Sequence, residues 1–360
     1  MQKQLLVVLG MHRSGTSAIT RGLQVLGASP GDAIMPTAPD NPKGFWEDQD
    51  ILWINESILT EAKSSWDRIG LLELEERSPA IAALKNDAQT LLAQRLSQVD
   101  CFAIKDPRLP RLLPFWQPVF VAGDLSVAYV IALRNPLSVA DSLARRNGFD
   151  RVKSVLLWQE HLLAALYHTQ GQRRVIVDYD RLLDDPEATL RRIAAQLGIG
   201  PIHPEALREY QANFLDIGLR HTRYTREDVR DTSDLPAGAS TLYSLLADCA
   251  EDGRSFDDPA LVRLVAEQRK ALRSSGPVLD LLGRLDAMQQ LNQARASELT
   301  TALQAAEEQN QRLATELESM QQTNQVQADE LTAALRAAEE QNQRLATELG
   351  FREQWNGKPR

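Results

Sequence analysis

LLVVLGMHRSGTSA, residues 5–18, joins an apolar run to a polar loop bounded by two glycines. Leu5 to Leu9 read as a buried strand of a parallel sheet, and Gly10 ends it. Gly15 follows, with Thr16 and Ser17 behind it, and opens a helical pattern reaching Leu26. A Walker A loop is spaced G-x-x-x-x-G-K-[ST]; here Thr16 occupies the lysine position and Arg13 brings the cation instead. Strand, tight turn and helix start together form an anion cradle of backbone N–H groups, a positive dipole end and hydroxyls. His12, Arg13, Ser14, Gly15, Thr16 and Ser17 are its candidate ligand-holding residues. An arginine fork can grip two oxygens at once, where a lysine offers a point charge.

Three further apolar runs, Phe102–Ile104, Val127–Leu133 and Val175–Val177, also read as buried strands. Each ends in a polar cluster: "KDPR", "RNP" and "DYDRLL". Helical patterns follow at Gly15–Leu26, Pro136–Arg146, Val152–His168 and Pro186–Leu197. Such alternation predicts an α/β fold, a P-loop-like three-layer domain with a central parallel sheet. Ligands of open α/β sheets bind beyond the carboxyl ends of the strands, so the four clusters are expected to converge on one site.

Composition changes after "SSGPVLDLLG". No proline lies between Pro277 and Pro359, and no aromatic residue between Phe256 and Phe351. The α/β domain is therefore assigned to residues 1–277, and residues 278–360 to a long α-helical coiled coil. "ELTTALQAAEEQNQRLATEL" from Glu298 recurs from Glu330 with 18 of 20 positions identical, 32 residues on. Leu299, Leu303, Ala306, Asn310, Leu313, Leu317, Met320 and Asn324 alternate steps of four and three, which is a heptad seam. A 32-residue repeat is four heptads plus four residues, so each unit contains one stutter. Asn310, Asn324 and Asn342 on the seam cost stability, fix register and favour two parallel strands. The tail therefore predicts a homodimer or another oligomer. Read blandly, the same stretch is a lone solvated helix or a low-complexity tail.

The formal net charge of -9 argues against a nucleic-acid binder, which would carry a basic stripe. Residues 278–360 hold 13 acidic and 8 basic side chains, so much of that excess belongs to the tail. Cys101 and Cys249 are too few and too distant for a disulfide framework or a zinc site. No run approaches the roughly 20 apolar residues of a membrane span. A cytoplasmic protein is expected, and nothing has metal-ligand spacing.

"LRNPLSVADS" places Arg134 at a strand end and Ser142 two turns into the helix that Pro136 opens. Guanidinium and hydroxyl can then approach one phosphate from the same side. With this second anion motif, the chain resembles the sulfotransferases that use 3′-phosphoadenosine 5′-phosphosulfate (PAPS). The resemblance covers about residues 4–225 and includes "VDYDRLLDDPEATLRRIAAQLGI" from Val177. It implies that the "RSGT" loop holds the 5′-phosphosulfate, that Arg134 and Ser142 hold the 3′-phosphate, and that PAP is released. It also implies that Lys105 of "KDPR" reaches the sulfuryl group and, with Arg13, stabilises the charge that builds there, without a metal.

An acceptor hydroxyl must lose its proton as it attacks, so a base is needed. Glu47 of "GFWEDQD" matches the glutamate that several sulfotransferase branches use, and Phe45 and Trp46 beside it could raise its pKa. Alternatively, Glu47 and Asp48 simply open a helix, where acids suit the dipole. His12 is the rival base, and Arg108 either pairs with Asp106 or lines the cleft. Trp46, Trp53 and Trp66 suit stacking on a sugar, so the expected acceptor is a saccharide or glycoconjugate. His161 and His168 read as packing or surface residues; Arg220, His221 and Arg223 read as a basic loop able to close over a nucleotide, or as exposed. Two other functions stay open on the residues alone. A small-molecule kinase would need ATP and magnesium, and a non-catalytic scaffold would act through the coiled coil.

Overall fold

The computed structural model describes residues 2–37, 43–72, 74–75, 78–215 and 222–356. Two compact units make up the chain, Met1–Gly283 and Arg284–Arg360. In the first, β1 (Gln4–Leu9) leads into α1 (Thr16–Val25), then α2 (Gln49–Glu61) and α3 (Pro79–Gln98). β2 (Cys101–Lys105), α4 (Leu109–Ala122), β3 (Ser126–Leu133), α5 (Pro136–Asn147), α6 (Arg151–His168) and β4 (Arg174–Asp178) follow. Beyond the sheet come α7 (Tyr179–Asp184), α8 (Pro186–Leu197), α9 (Pro204–Glu209) and a π-helical turn, Tyr210–Phe214. α10 (Arg226–Asp231), α11 (Ala239–Ala250) and α12 (Pro259–Ser274) precede the last helix, α13 (Gly276–Asn356). Among the described residues no helix is long and apolar enough to cross a membrane.

All four strands are parallel, in the order β2-β1-β3-β4. Side chains alternate faces along a strand, and the core divides accordingly. Leu5, Val7 and Leu9 join Phe102, Ile104, Ile131 and Ile176 on one face, beneath α2 to α6, α11 and α12. Leu6 and Val8 join Ala103, Val130, Val175 and Val177 on the other, against α1, α8 and α9. Burial on both faces explains why these strands read as continuous apolar runs. The expected three layers, helix–sheet–helix, are present.

From β1 the chain passes to β2 on one side and then to β3 on the other, so strand order reverses between β1 and β3. Open α/β sheets leave a ligand crevice at such a switch point. Here the backbones close tightly. A Cβ added at Gly10 would lie 2.9 Å from the Ala132 Cβ of β3, closer than real side chains pack. Pro136 and Asn135 explain where α5 starts: the proline fixes φ at the helix entry, and the Asn135 side chain accepts from the Leu137 N–H.

Candidate functional site

The loop after β1 is built by two left-handed residues. Arg13 has φ 68° and Gly15 φ 82°, and the Ser14 N–H donates to the Met11 carbonyl at 3.1 Å. Gly15 is required twice over: an L side chain is strained at that φ, and its Cβ would fall on the Tyr179 ring. Gly15 then caps α1 without any side-chain acceptor, leaving the first-turn amides uncapped in that way. The Ser14 hydroxyl is buried beside them with no hydrogen-bond partner. An uncapped helix start and an orphaned hydroxyl fit an anionic group. Ser17 is engaged, donating to the Phe45 carbonyl at 3.0 Å, and Thr16 is buried against Gly10.

Arg13 reaches out of the loop to the second anion motif. Its Nε donates to Ser142 Oγ at 2.8 Å, and Arg134 donates in return to the Arg13 carbonyl at 2.8 Å. The Arg134 guanidinium lies over the Tyr179 ring, 4.7 Å from its centre, and Trp158 Nε1 donates to the Arg134 carbonyl. Tyr179 comes from the "DYDRLL" cluster, where Asp178 caps α7. Burial pushes the Asp178 carboxyl up to about 6. Residues from three strand ends thus meet across the β1–β3 crevice.

The fourth strand end, that of β2, adds a buried ion pair. Lys105 Nζ donates to Glu47 Oε1 at 2.7 Å and to the Phe45 carbonyl at 2.5 Å. Burial raises the Glu47 carboxyl pKa, and the Lys105 charge works against that rise. Asp48, not Glu47, opens α2, accepting from the Asp50 and Ile51 amides and gripped by Arg95 Nε at 2.7 Å. Arg108 both pairs with Asp106 at 2.9 Å and stands 4.0 Å from Glu47. Asp106 is held in turn by Asn55 Nδ2 at 3.0 Å, whose Oδ1 accepts from Trp116 Nε1. Nothing in the residue pattern announces this buried chain.

His12 lies with its ring 4.3 Å from Trp66, which stacks on Phe149. Its Nε2 is buried without a partner, and burial together with the Arg108 charge holds its pKa well below 6.5. Trp46 packs edge-on against Phe214, whereas Trp53 is exposed on α2. Arg223 pairs with Asp184 at 3.0 Å near the surface; Arg220 and His221 lie outside the described residues. His161 is fully buried, its Nδ1–H donating to the Leu157 carbonyl, and burial drives its pKa down to about 3.

That histidine sets a pH limit on the fold. The unfolded chain takes up a proton near pH 6.5 and the native chain only near 3, so stability falls as pH drops through this window. The melting temperature of His161→Leu is expected to fall less between pH 7 and pH 4 than that of the unmodified chain. An equally steep fall would show that His161 is not responsible.

No protein-family model matches the chain, and no curated protein matches it. Solved structures do. The sulfotransferase domain of a Synechococcus PCC 7002 olefin synthase is similar over 74% of this chain and 95% of its own, with TM-score 0.36 and 15% identity. A sulfotransferase from Alicyclobacillus acidocaldarius is similar over 70% and 96%, with TM-score 0.34 and 12% identity. One from Mycobacterium tuberculosis is similar over 62% and 74%, with TM-score 0.34 and 16% identity.

Proposed function

We propose that this chain is a sulfotransferase that moves a sulfuryl group from PAPS to a hydroxyl of a saccharide or glycoconjugate. The observation that carries it is the crossed contact between the two anion motifs, Arg13 on Ser142 and Arg134 on the Arg13 carbonyl. A ligand with anionic groups at both ends, as PAPS has, meets one motif with each. The orphaned Ser14 hydroxyl and the uncapped start of α1 suit the phosphosulfate end. Arg134 and Ser142 suit the 3′-phosphate.

In transfer, the bond from sulfur to the acceptor oxygen forms as the bond to the 5′-phosphate oxygen breaks, and PAP leaves. Glu47 takes the hydroxyl proton; burial gives its carboxylate more basicity than an exposed glutamate has. Lys105 and Arg13 offset negative charge on the groups in flight. His12 and Trp66 form an aromatic wall on which a sugar ring can rest. The tail pairs copies of the chain as a coiled coil.

A thermal-shift panel of PAP, ATP and GTP, with and without magnesium, tests the donor. PAP is expected to stabilise the protein in either condition. Arg134→Ala should weaken PAP binding roughly 10- to 100-fold, the worth of a charge-assisted hydrogen bond of roughly 1.5–3 kcal/mol. Undiminished affinity in that variant would overturn the site, and a response to ATP with magnesium alone would overturn the donor.

A further inference from the structure

The described part of the tail is one uninterrupted helix, and its seam is solvent-exposed. Leu299, Leu303, Leu313, Leu317, Met320, Leu331, Leu335 and Leu345 are all exposed. A helix with an unburied apolar stripe gains its stability from a partner. The seam's own pattern says which partner fits. Every asparagine on it needs another amide opposite, because an amide facing leucine leaves polar groups unpaired. A second copy, parallel and in register, sets Asn310, Asn324 and Asn342 each against itself. Flanking positions agree: Glu307 then faces Ala302, and Glu316 faces Gln321, so no like charges meet. An antiparallel copy would set asparagine layers against leucine or methionine layers.

Slipped parallel registers are mostly excluded by the same layers. A slip of one heptad sets Asn310 against Leu317. A slip of two matches Asn310 with Asn324 but sets Leu313 on Gln327 and Asn324 on Ala338, and carries Leu317 onto Leu331, beyond the stutter and out of phase with the seam. A slip of 32 residues is different. It lays Leu299 on Leu331, Leu303 on Leu335, Asn310 on Asn342, Leu313 on Leu345 and Leu317 on Leu349, and brings Asn292 onto Asn324. Every layer from Leu299 to Leu317 meets its like, and beyond them Met320 falls opposite Arg352, which leaves the staggered pair weaker than the in-register one.

We infer that the tail pairs parallel copies in register and, through its 32-residue repeat, also in one alternate register staggered by a whole repeat, about 48 Å along the helix axis. The staggered pair covers only one repeat of each chain. Each uncovered repeat can then accept a further copy, which makes the stagger a head-to-tail, open-ended contact. In-register dimers are therefore favoured in dilute solution, and staggered chains grow with concentration by mass action. This inference rests on the tail pairing at all, and is independent of the donor and acceptor.

Single cysteines on the full-length chain, Leu313→Cys and Leu345→Cys, report the register under mild oxidation. The unmodified chain, with buried Cys249 and half-buried Cys101, is the control. Each variant alone is expected to form a disulfide-linked dimer. Mixed together, they should also give a product joining positions 313 and 345, whose share rises with protein concentration. Deleting residues 323–354, one full repeat, should abolish concentration-dependent growth beyond dimers. A monomer in sedimentation equilibrium would overturn the pairing itself. A 313–345 product without 313–313 would mean antiparallel helices and overturn the inference. Dimers linked only at identical positions, at every concentration, would overturn the alternate register while leaving the pairing intact.

Discussion

Lys105→Ala is expected to lose both the fold's stability and its turnover, and to lose the two separately. Glu47 is buried with Lys105 as its nearest cation, and Arg108 stands only at 4.0 Å. Removing one partner of a buried ion pair leaves the other charge uncompensated, at a cost of about 3 kcal/mol or more. Turnover should fall by at least ~10²-fold, because a positioned cation and a tuned base are disturbed together. Adding Glu47→Gln removes the stranded charge, so the double variant should recover much of the stability and none of the turnover. The pH dependence has a fixed sign. Without Lys105, burial raises the Glu47 pKa further above its unfolded value. Protonation then favours the native state, and the variant's deficit should shrink on acidification and grow as pH rises. Chemical denaturation at two pH values checks this. A deficit that ignores pH, or a double variant no more stable than the single, would mean that the pair is not the source.

Gly15→Ala is expected to destroy anion binding. At φ 82° an alanine costs about 1–2 kcal/mol in backbone strain alone. Its methyl would also displace the Tyr179 ring, which carries the Arg134 guanidinium on its face. One added carbon thus disturbs the loop directly and the second anion motif through Tyr179. Affinity for PAP should drop by at least ~10²-fold, comparable to losing a preorganised donor. Tyr179→Ala on its own should also weaken PAP binding in titration calorimetry, because it removes the ring face beneath Arg134. Near-normal PAP affinity in Gly15→Ala would show that the cradle does not hold the nucleotide.

Much of this arrangement was legible in the chain. Strands buried on both faces spell continuous apolar runs, and all four runs proposed from sequence are the four strands. The starts of α5 and α8 were marked by Asn-Pro and Asp-Pro, whose cap and ring act locally. α4 is absent from the helical patterns read in the sequence; Pro114 and Pro118 lie inside it, where proline ordinarily interrupts a helix. The loops that carry Arg13 and Arg134 could be placed because each follows a strand and opens a helix. Tyr179 was visible only as part of a polar cluster; its role depends on Gly15 lacking a side chain. Asn55 and Trp116 had no signal. The bond from Asn55 to Asp106 spans 51 residues and that from Trp116 to Asn55 spans 61, and both exist only once α2 and α4 pack on the sheet.

The locks on Asp48 and Asp106 bear on the residues beside them. Glu47 is bonded in the chain to Asp48, which Arg95 and the start of α2 hold fast. Lys105 is bonded to Asp106, which Asn55 and Arg108 hold. Glu47 and Lys105 are therefore each one peptide unit from an anchored carboxylate on a different element. Their separation is fixed when the core forms. On the proposed function, a ligand would meet this pair already organised and need not assemble it.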